Sequence, residues 1–220
     1  MNRLLNLPLP LVAGGLGLLL FLLLLIPTAY SRLGLSHAQG LAVLGEAPAF
    51  ALTDHLERPV NSDEFRGKIV VANFIYTNCQ DICPLLTAWM KALQERLRQE
   101  KLLGDPVQLL SFTVDPVRDT PAVLRAYAER YKADSSAWRF LTGPAETVVP
   151  LIVDGFHLGI EELPPPTASA HEHDASQDYE VMHSGRFVLI DRQGRIRAYY
   201  AGRDFDVEQV VGDIQKLLAE

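Results

Sequence analysis

Between residues 45 and 220 the chain alternates short apolar segments with amphipathic ones. Continuous apolar runs, or strict alternation of apolar and polar residues, predict strands, whereas apolar residues three or four positions apart predict helices. These patterns predict strands at 49–54, 59–62, 69–76, 107–114, 139–142, 185–191 and 195–201. They predict helices at 84–101, 121–131, 145–154 and 207–218, and an exposed loop rich in proline and polar residues at 161–178.

The order of these elements is β-hairpin, β, α, β, α, β, α, β, β, α. It resembles an α/β thioredoxin-like fold with an N-terminal β-hairpin extension and one inserted segment. Alternation of strands and helices by itself would also allow a flavodoxin-like sheet, but the terminal β-hairpin followed by a helix favours the thioredoxin-like arrangement. A length of about 175 residues is typical of one domain, which we predict at 45–220.

The first 40 residues differ from the rest, because residues 4–30 contain no charged side chain. A membrane-spanning helix needs about 20 predominantly apolar residues, and Leu7–Pro27 supplies them. Residues 1–40 are therefore predicted to be a membrane anchor with a short linker, although a cleaved secretion signal is the alternative. Arg3 before the span and Arg32 after it slightly favour an inside N-terminus. The predicted location is the bacterial cytoplasmic (inner) membrane, single-pass, with the domain facing the periplasm or cell exterior.

The charge of the domain excludes one class of partner. Residues 1–40 hold two arginines and no acid, so the formal net charge of −7 for the whole chain becomes −9 for the remainder. An acidic domain is a poor candidate for binding nucleic acid. The charge could steer a basic partner towards the domain, and solubility explains it equally well.

The chain has two cysteines, Cys79 and Cys83, at the junction of a predicted strand and a predicted helix. A structural disulfide is one reading, but closing so short a loop removes little entropy from the unfolded chain. A redox-active disulfide or a soft-metal site is the favoured reading. Proline favours the first helical position, so Pro84 places Cys83 near the helix N-cap, where the dipole stabilises a thiolate. Cys79 is predicted to be accessible.

A histidine accompanies the two thiols. A thioredoxin-type disulfide exchanger carries a cis-proline before its penultimate strand, but no proline follows Pro166 here. The corresponding loop, 179–184, contains His183 instead. Two thiolates and an imidazole suit copper, whereas structural zinc takes four protein ligands and only three are evident.

Three motifs together carry a family resemblance: Cys79–Pro84, Thr113–Pro121 and Asp178–Ser184. In this order they resemble the Sco/SenC family of membrane-tethered copper proteins over about residues 45–220. The resemblance implies that Cys79, Cys83 and His183 are the copper ligands and that the Thr113–Pro121 segment lies near them. Gln80 stands where the family usually has proline. We assign no catalytic role to Asp115 or Asp119.

The same resemblance implies a metallochaperone rather than a turnover enzyme. It would deliver copper, as Cu(I), Cu(II) or both, to the CuA site of cytochrome c oxidase, or mature that site. Its partners would be the oxidase subunit bearing CuA and a copper donor protein. The alternative is a dedicated thiol-disulfide oxidoreductase that keeps the cysteines of the oxidase subunit reduced. A peroxidase is disfavoured, because Tyr76 stands where peroxiredoxins have Thr or Ser.

The loop at 161–178 contains a second group of metal-attracting residues. His171 and His173 alternate with Glu172 and Asp174. Such a group is typical of a solvated loop, and weak capture of Cu(II) is the functional alternative.

Overall fold

The computed structural model describes residues 40–79, 82–163, 180–183 and 185–220, and in 160–163 and 180–183 it describes the backbone alone. The predicted anchor at Leu7–Pro27 lies outside these residues. Within the described ranges, no helix is both long enough and apolar enough to cross a membrane. Residues Leu41–Glu220 form one unit by their internal contacts. The division into an anchor at 1–40 and a domain at 45–220 stays a prediction.

Ten strands and four α-helices occupy the described ranges. The strands are β1 (Gly45–Glu46), β2 (Ala51–Asp54), β3 (Pro59–Asn61), β4 (Ile69–Ile75), β5 (Val107–Thr113), β6 (Trp138–Thr142), β7 (Ile160–Leu163), β8 (Glu180–His183), β9 (Arg186–Ile190) and β10 (Arg195–Ala201). The helices are α1 (Ile82–Gln99), α2 (Pro121–Arg130), α3 (Ala145–Pro150) and α4 (Val207–Ala219). A 3₁₀ turn spans Ser62–Phe65, and a π-helical turn, Leu151–Gly155, follows α3.

Eight of these strands form one mixed sheet in the order β1-β10-β9-β4-β5-β6-β2-β3. The central strands β4, β5 and β6 are parallel, and β9 and β10 join β4 as an antiparallel hairpin. The predicted N-terminal hairpin is present as β2 and β3, which pair at the far edge through β6. This mixed arrangement puts the carboxyl end of β4 and the start of α1 near the middle of the sheet.

The centre of the sheet is covered on both faces. Every residue of β4 and β5 is buried, as expected for parallel strands with helices or loops on each side. Phe74 and Phe112, which are register partners, stack with ring centroids 5.6 Å apart. Phe156 packs against both rings and Phe50 against Phe112, so an aromatic cluster joins the N-terminal segment to the sheet.

Two predicted helices differ from the structure by two residues or more at one or both ends, and the other two differ by one residue. Helix α1 begins at Ile82, two residues before Pro84. The helix tolerates a proline in its first turn because the N–H that proline lacks would have no intrahelical acceptor there. Helix α3 ends at Pro150 and continues as the π-helical turn. Proline inside a helix removes one i→i−4 hydrogen bond, and such a break accounts for the change of helix type.

The segment around the predicted loop also differs. Strand β7 includes the start of the predicted 161–178 loop, and it pairs with β8 in a separate antiparallel ribbon. His183 is therefore the last residue of a strand, opposite Ile160, rather than part of a loop. Main-chain pairing stabilises this ribbon, and the Glu-Glu-Leu sequence of β7 has no alternation from which a strand could be predicted.

A buried arginine joins the two ends of the described domain. The Arg197 guanidinium donates to the carbonyl oxygens of Leu41 and Ala42 and to the carboxylates of Asp191 and Glu220. Arg197 is only 5% exposed, so these bonds form largely out of water. We call this group of five residues the terminal clamp.

Candidate metal and thiol site

The two cysteines lie where β4 gives way to α1. Strand β4 ends at Ile75, and a turn follows in which the Cys79 N–H donates to the Tyr76 carbonyl at 3.3 Å. Cys83 lies in the first turn of α1, and its N–H donates to Cys79 Sγ, also at 3.3 Å. Both residues are thiols in the structure. The fold thus brings the two predicted sulfur ligands together, with the Cys79 sulfur next to the backbone of Cys83.

The two thiols differ in burial. Cys79 is partly buried, whereas Cys83 has no exposed surface. Burial is the main cause that raises the pKa of the Cys83 thiol; the hydrogen bond with Cys79 and the nearby Asp119 carboxylate raise it further. The predicted stabilisation of a Cys83 thiolate is therefore wrong. Cys83 is the second residue of the helix rather than its cap, and its burial favours the neutral thiol.

The side chains of Thr87 and Tyr127 form hydrogen bonds that stabilise the first turn of α1. The Thr87 hydroxyl donates to the Cys83 carbonyl oxygen at 2.9 Å, and Thr87 Oγ1 lies 2.8 Å from the Tyr127 hydroxyl of helix α2. Burial raises the pKa of Tyr127, so this hydroxyl stays neutral and can donate to Thr87. The bond links the cysteine helix to its neighbour.

A buried carboxylate holds the turn before Cys79. Asp119 Oδ1 accepts from the Thr77 hydroxyl at 2.5 Å, and Asp119 Oδ2 accepts from the Thr77 N–H at 3.1 Å and the Thr113 hydroxyl at 2.6 Å. Burial raises the pKa of Asp119, and these hydrogen bonds oppose that rise by stabilising the ionised form. The segment 113–121 thus contacts the cysteine turn.

Asp115 and Arg118 occupy the same segment. The Asp115 N–H donates to Thr113 Oγ1, and the Asp115 carboxylate forms an ion pair with Arg118. The Arg118 guanidinium carbon lies 5.9 Å from the centroid of the Tyr76 ring, within the range of a cation–π contact. The loop between β5 and α2 therefore contacts Tyr76, the residue at which the cysteine turn begins.

The backbone after His183 packs against α1. Gly185 accepts a hydrogen bond from the Gly202 N–H at 2.7 Å. A Cβ on Gly185 would lie 3.1 Å from Ile82, and a Cβ on Gly202 would lie 2.1 Å from Leu86. The main chain two residues beyond His183 thus lies against the first turn of the cysteine helix.

The side chain of His183, the third predicted ligand, lies outside what the structure describes. The same holds for His171 and His173, the possible Cu(II)-capturing pair, and for Gln80, which stands where the family usually has proline. Among the side chains that are described, no group of three or more His, Cys, Asp or Glu residues is placed to hold a metal ion. The two adjacent sulfurs can form a disulfide or provide two ligands to a soft metal, and the three-ligand set stays a prediction.

Sequence reasoning assigned no role to Asp119, Thr77, Thr87 or Tyr127. One signal was present: Thr113 is a polar residue at the end of a largely apolar strand, and a segment with two aspartates follows it. Polar residues at the carboxyl end of a buried strand indicate hydrogen bonds to neighbouring loops. The acceptor for each donor depends on tertiary contacts, which the sequence does not specify.

Fold and site together define a thioredoxin-like dithiol protein. The family model described as SCO1/SenC matches residues 42–219. The chain therefore belongs to the SCO1/SenC family, as its motifs predicted. Among curated relatives, a SCO1 protein homolog of Bacillus subtilis is 28% identical over 171 residues, which are 77% of this chain and 81% of that protein.

Solved structures agree with the fold. A SCO1/SenC family lipoprotein from Bacillus anthracis is 32% identical, with a TM-score of 0.69 over 80% of this chain and 96% of that chain. BsSco, described as a member of the Sco family of cytochrome c oxidase assembly proteins with a disulfide switch, is 27% identical, with a TM-score of 0.66 over 82% and 98%. Yeast Sco1 with copper bound is 27% identical, with a TM-score of 0.61 over 78% and 89%.

Proposed function

We propose that this protein is a membrane-tethered copper chaperone that delivers copper to the CuA site of cytochrome c oxidase, or matures that site. Cys79, Cys83 and His183 would bind the metal, which is the cargo. The observation that carries the proposal is the pair of adjacent thiols at the β4–α1 junction, where the Cys83 N–H reaches Cys79 Sγ. Family membership supports the choice of copper, because yeast Sco1 has been crystallised with that metal.

The chemistry of the donors fits this cargo. Thiolate sulfur is a soft ligand suited to Cu(I), and imidazole suits either oxidation state. Because burial raises the pKa of Cys83, copper must displace the proton of a thiol that is otherwise neutral. Oxidation to a disulfide would remove two protons and two electrons from the pair and leave no thiolate, so copper loading would depend on redox state.

The partners and location follow from the same reasoning. BsSco belongs to a family of cytochrome c oxidase assembly proteins, which supports an oxidase subunit bearing CuA as the recipient. A copper donor protein would supply the metal. The uncharged run at 4–30 supports a single-pass anchor in the cytoplasmic membrane, with the domain facing the periplasm or cell exterior.

The test is His183→Ala in the full chain. We expect copper retention against a competing chelator to fall by at least the roughly 10–100-fold that loss of a residue supporting a metal ligand costs. Reversible formation of the Cys79–Cys83 disulfide should persist. His157→Asn, at an exposed histidine whose left-handed backbone suits asparagine, is the control and should bind copper normally. Normal CuA content in cells carrying His183→Ala would refute copper delivery.

The second candidate is a dedicated thiol-disulfide oxidoreductase that keeps oxidase-subunit cysteines reduced. The unequal burial of the two thiols favours it, since a more accessible Cys79 could attack a substrate and a buried Cys83 could resolve the mixed disulfide. This candidate predicts that His183→Ala cells still assemble a copper-loaded oxidase, whereas Cys79→Ser and Cys83→Ser cells do not.

A further inference from the structure

Asp119 is a fully buried carboxylate that the proposed copper chemistry does not use. It has no exposed surface and lies at the end of the loop between β5 and α2. Its two oxygens accept hydrogen bonds from the Thr77 N–H, the Thr77 hydroxyl and the Thr113 hydroxyl. Two of these three donors belong to one residue, Thr77, which lies two positions before Cys79.

The bonds to Thr77 act on the turn that carries the first thiol. Because its N–H and its side-chain hydroxyl share one carboxylate, both the backbone and the side chain of Thr77 are fixed. Ile75, two positions before Thr77, is fixed as well, since the Val114 N–H donates to its carbonyl oxygen at 2.8 Å. The turn then closes through the Cys79 N–H and the Tyr76 carbonyl. Hydrogen bonds thus restrain residues 75–77 and Cys79, which together lead to the first thiol.

The bond to Thr113 serves a different purpose. Thr113 is the last residue of β5, and its hydroxyl ties the carboxylate to the sheet without touching the cysteine turn. One carboxylate therefore has one contact to the rigid sheet and two to the turn. A carboxylate suits this position because both of its oxygens accept, whereas an asparagine would turn an NH₂ group towards one of the hydroxyl donors.

We propose that Asp119 is a positioning residue for the dithiol, acting through Thr77 to hold Cys79 beside Cys83 before copper arrives. This inference rests on the proposed copper function. Without the link, the turn samples more conformations, and copper binding must then order it at a cost in affinity. The same ordering brings the two sulfurs together for disulfide formation, so the thiol–disulfide potential should depend on it too.

The test compares three substitutions in the full chain. Thr77→Val removes the hydroxyl bond to Asp119 at nearly constant shape, and Thr77→Ser retains it. Thr113→Val removes the hydroxyl bond from the same carboxylate to the sheet, together with the acceptor of the Asp115 N–H, and leaves the Thr77 contacts in place. For each variant we would measure copper retention against a chelator, the midpoint potential of the disulfide, and the free energy of unfolding.

We expect Thr77→Val to weaken copper retention by about tenfold, the size associated with losing a hydrogen bond to a charged group, and to shift the midpoint potential. Thr77→Ser should restore both values. Thr113→Val should lower stability but change copper retention by less than about threefold, because the turn stays anchored. Asp119→Asn should behave like Thr77→Val, and the threonine variants decide the outcome if it does not fold.

Two results would overturn the inference. One is wild-type retention and potential in Thr77→Val; the other is an equal loss of retention in Thr113→Val and Thr77→Val, which would make Asp119 a general stabilising residue. Parallel measurement of His183→Ala separates this from the proposed function. If His183→Ala loses copper and Thr77→Val does not, only the positioning role of Asp119 is refuted. If His183→Ala keeps copper, the proposed ligand set is refuted.

Discussion

His55 illustrates how burial sets the chemistry of one side chain. It is 1% exposed in the hairpin turn between β2 and β3. Its Nδ1 accepts from the Phe140 N–H at 3.2 Å, and its Nε2 lies 3.1 Å from Ser135 Oγ. Burial lowers the pKa of His55, although the neighbouring Asp54 carboxylate acts in the opposite direction. The neutral ring is therefore the form built into the fold.

The free energy of unfolding should decrease as the pH falls, because His55 resists protonation in the folded domain. The unfolded chain takes up a proton on His55 below about pH 6.5, whereas the folded ring resists protonation, so its contribution is present above that pH and is lost below it. The slope from one such group approaches about 1.4 kcal/mol per pH unit. Urea unfolding between pH 7.5 and pH 5 would measure it.

His55→Asn keeps an acceptor for the Phe140 N–H and cannot titrate, so we expect a flatter dependence on pH. His157→Asn is the matched control, since His157 is exposed and its left-handed backbone, φ 56°, suits asparagine. An unchanged pH slope in His55→Asn would contradict this assignment.

At the scale of elements, the packing of β9 and β10 against α1 depends on two glycines. The Gly202 N–H reaches the Gly185 carbonyl, and both residues lie against the start of α1. A Cβ on Gly202 would lie 2.1 Å from Leu86 Cδ2 and 2.8 Å from the Gly185 oxygen. The strand can approach the helix this closely only because no side chain intervenes.

Gly202→Ala should therefore destabilise the domain by about 1–3 kcal/mol, the usual cost of overpacking a core. Gly212→Ala is the control, because a Cβ there meets nothing within 4 Å in the interior of α4. That substitution should be neutral or stabilise by up to about 1 kcal/mol through helix propensity. Equal unfolding free energies for the two variants, from urea titration, would exclude the close contact.

The sequence predicted elements best where burial dictates pattern. Strands β4 and β5 are buried along their whole length and largely apolar because both faces are covered. The Thr120–Pro121 pair indicated the start of α2, where the Thr120 side chain accepts from the Val123 N–H. The prediction of a loop was wrong for β7, because main-chain pairing requires no pattern of apolar residues. The prediction of a stabilised thiolate was wrong for Cys83. Its position near a helix start favoured a thiolate, but burial and the nearby Asp119 carboxylate, which both raise the pKa of the thiol, depend on tertiary structure.

At the scale of the whole molecule, the terminal clamp and the cysteines lie at opposite ends of the sheet. Arg197 follows Ile196, which pairs with Ile190; Ile190 in turn pairs with Val70 at the beginning of β4. The thiols follow the other end of that strand. The clamp should therefore support the fold without affecting the thiol chemistry.

Arg197→Met keeps the apolar stem and removes the guanidinium, leaving buried acceptors without their donor. We expect a loss of about 3 kcal/mol in the free energy of unfolding, as for a broken buried ion pair. Arg195→Met is the matched control: it binds the same Asp191, but its side chain is 33% exposed, so the loss should stay below about 1 kcal/mol. The midpoint potential of the cysteines should be unchanged in both variants, and a shift in either would contradict the separation.

The distance between the terminal clamp and the cysteines also affects how a partner can approach the thiols. Strand β4 has seven residues and so spans about 20 Å at roughly 3.3 Å per residue. Because Leu41 and Glu220 both bind Arg197 on the clamp side, a partner that contacts the cysteines need displace neither residue. If the proposed anchor is correct, lengthening the segment before Leu41 should extend the distance that the cysteines can reach and leave their affinity for copper unchanged. We therefore expect the distance that the site can reach to depend on the clamp side of β4, and its affinity for copper on the residues that follow the other end of this strand.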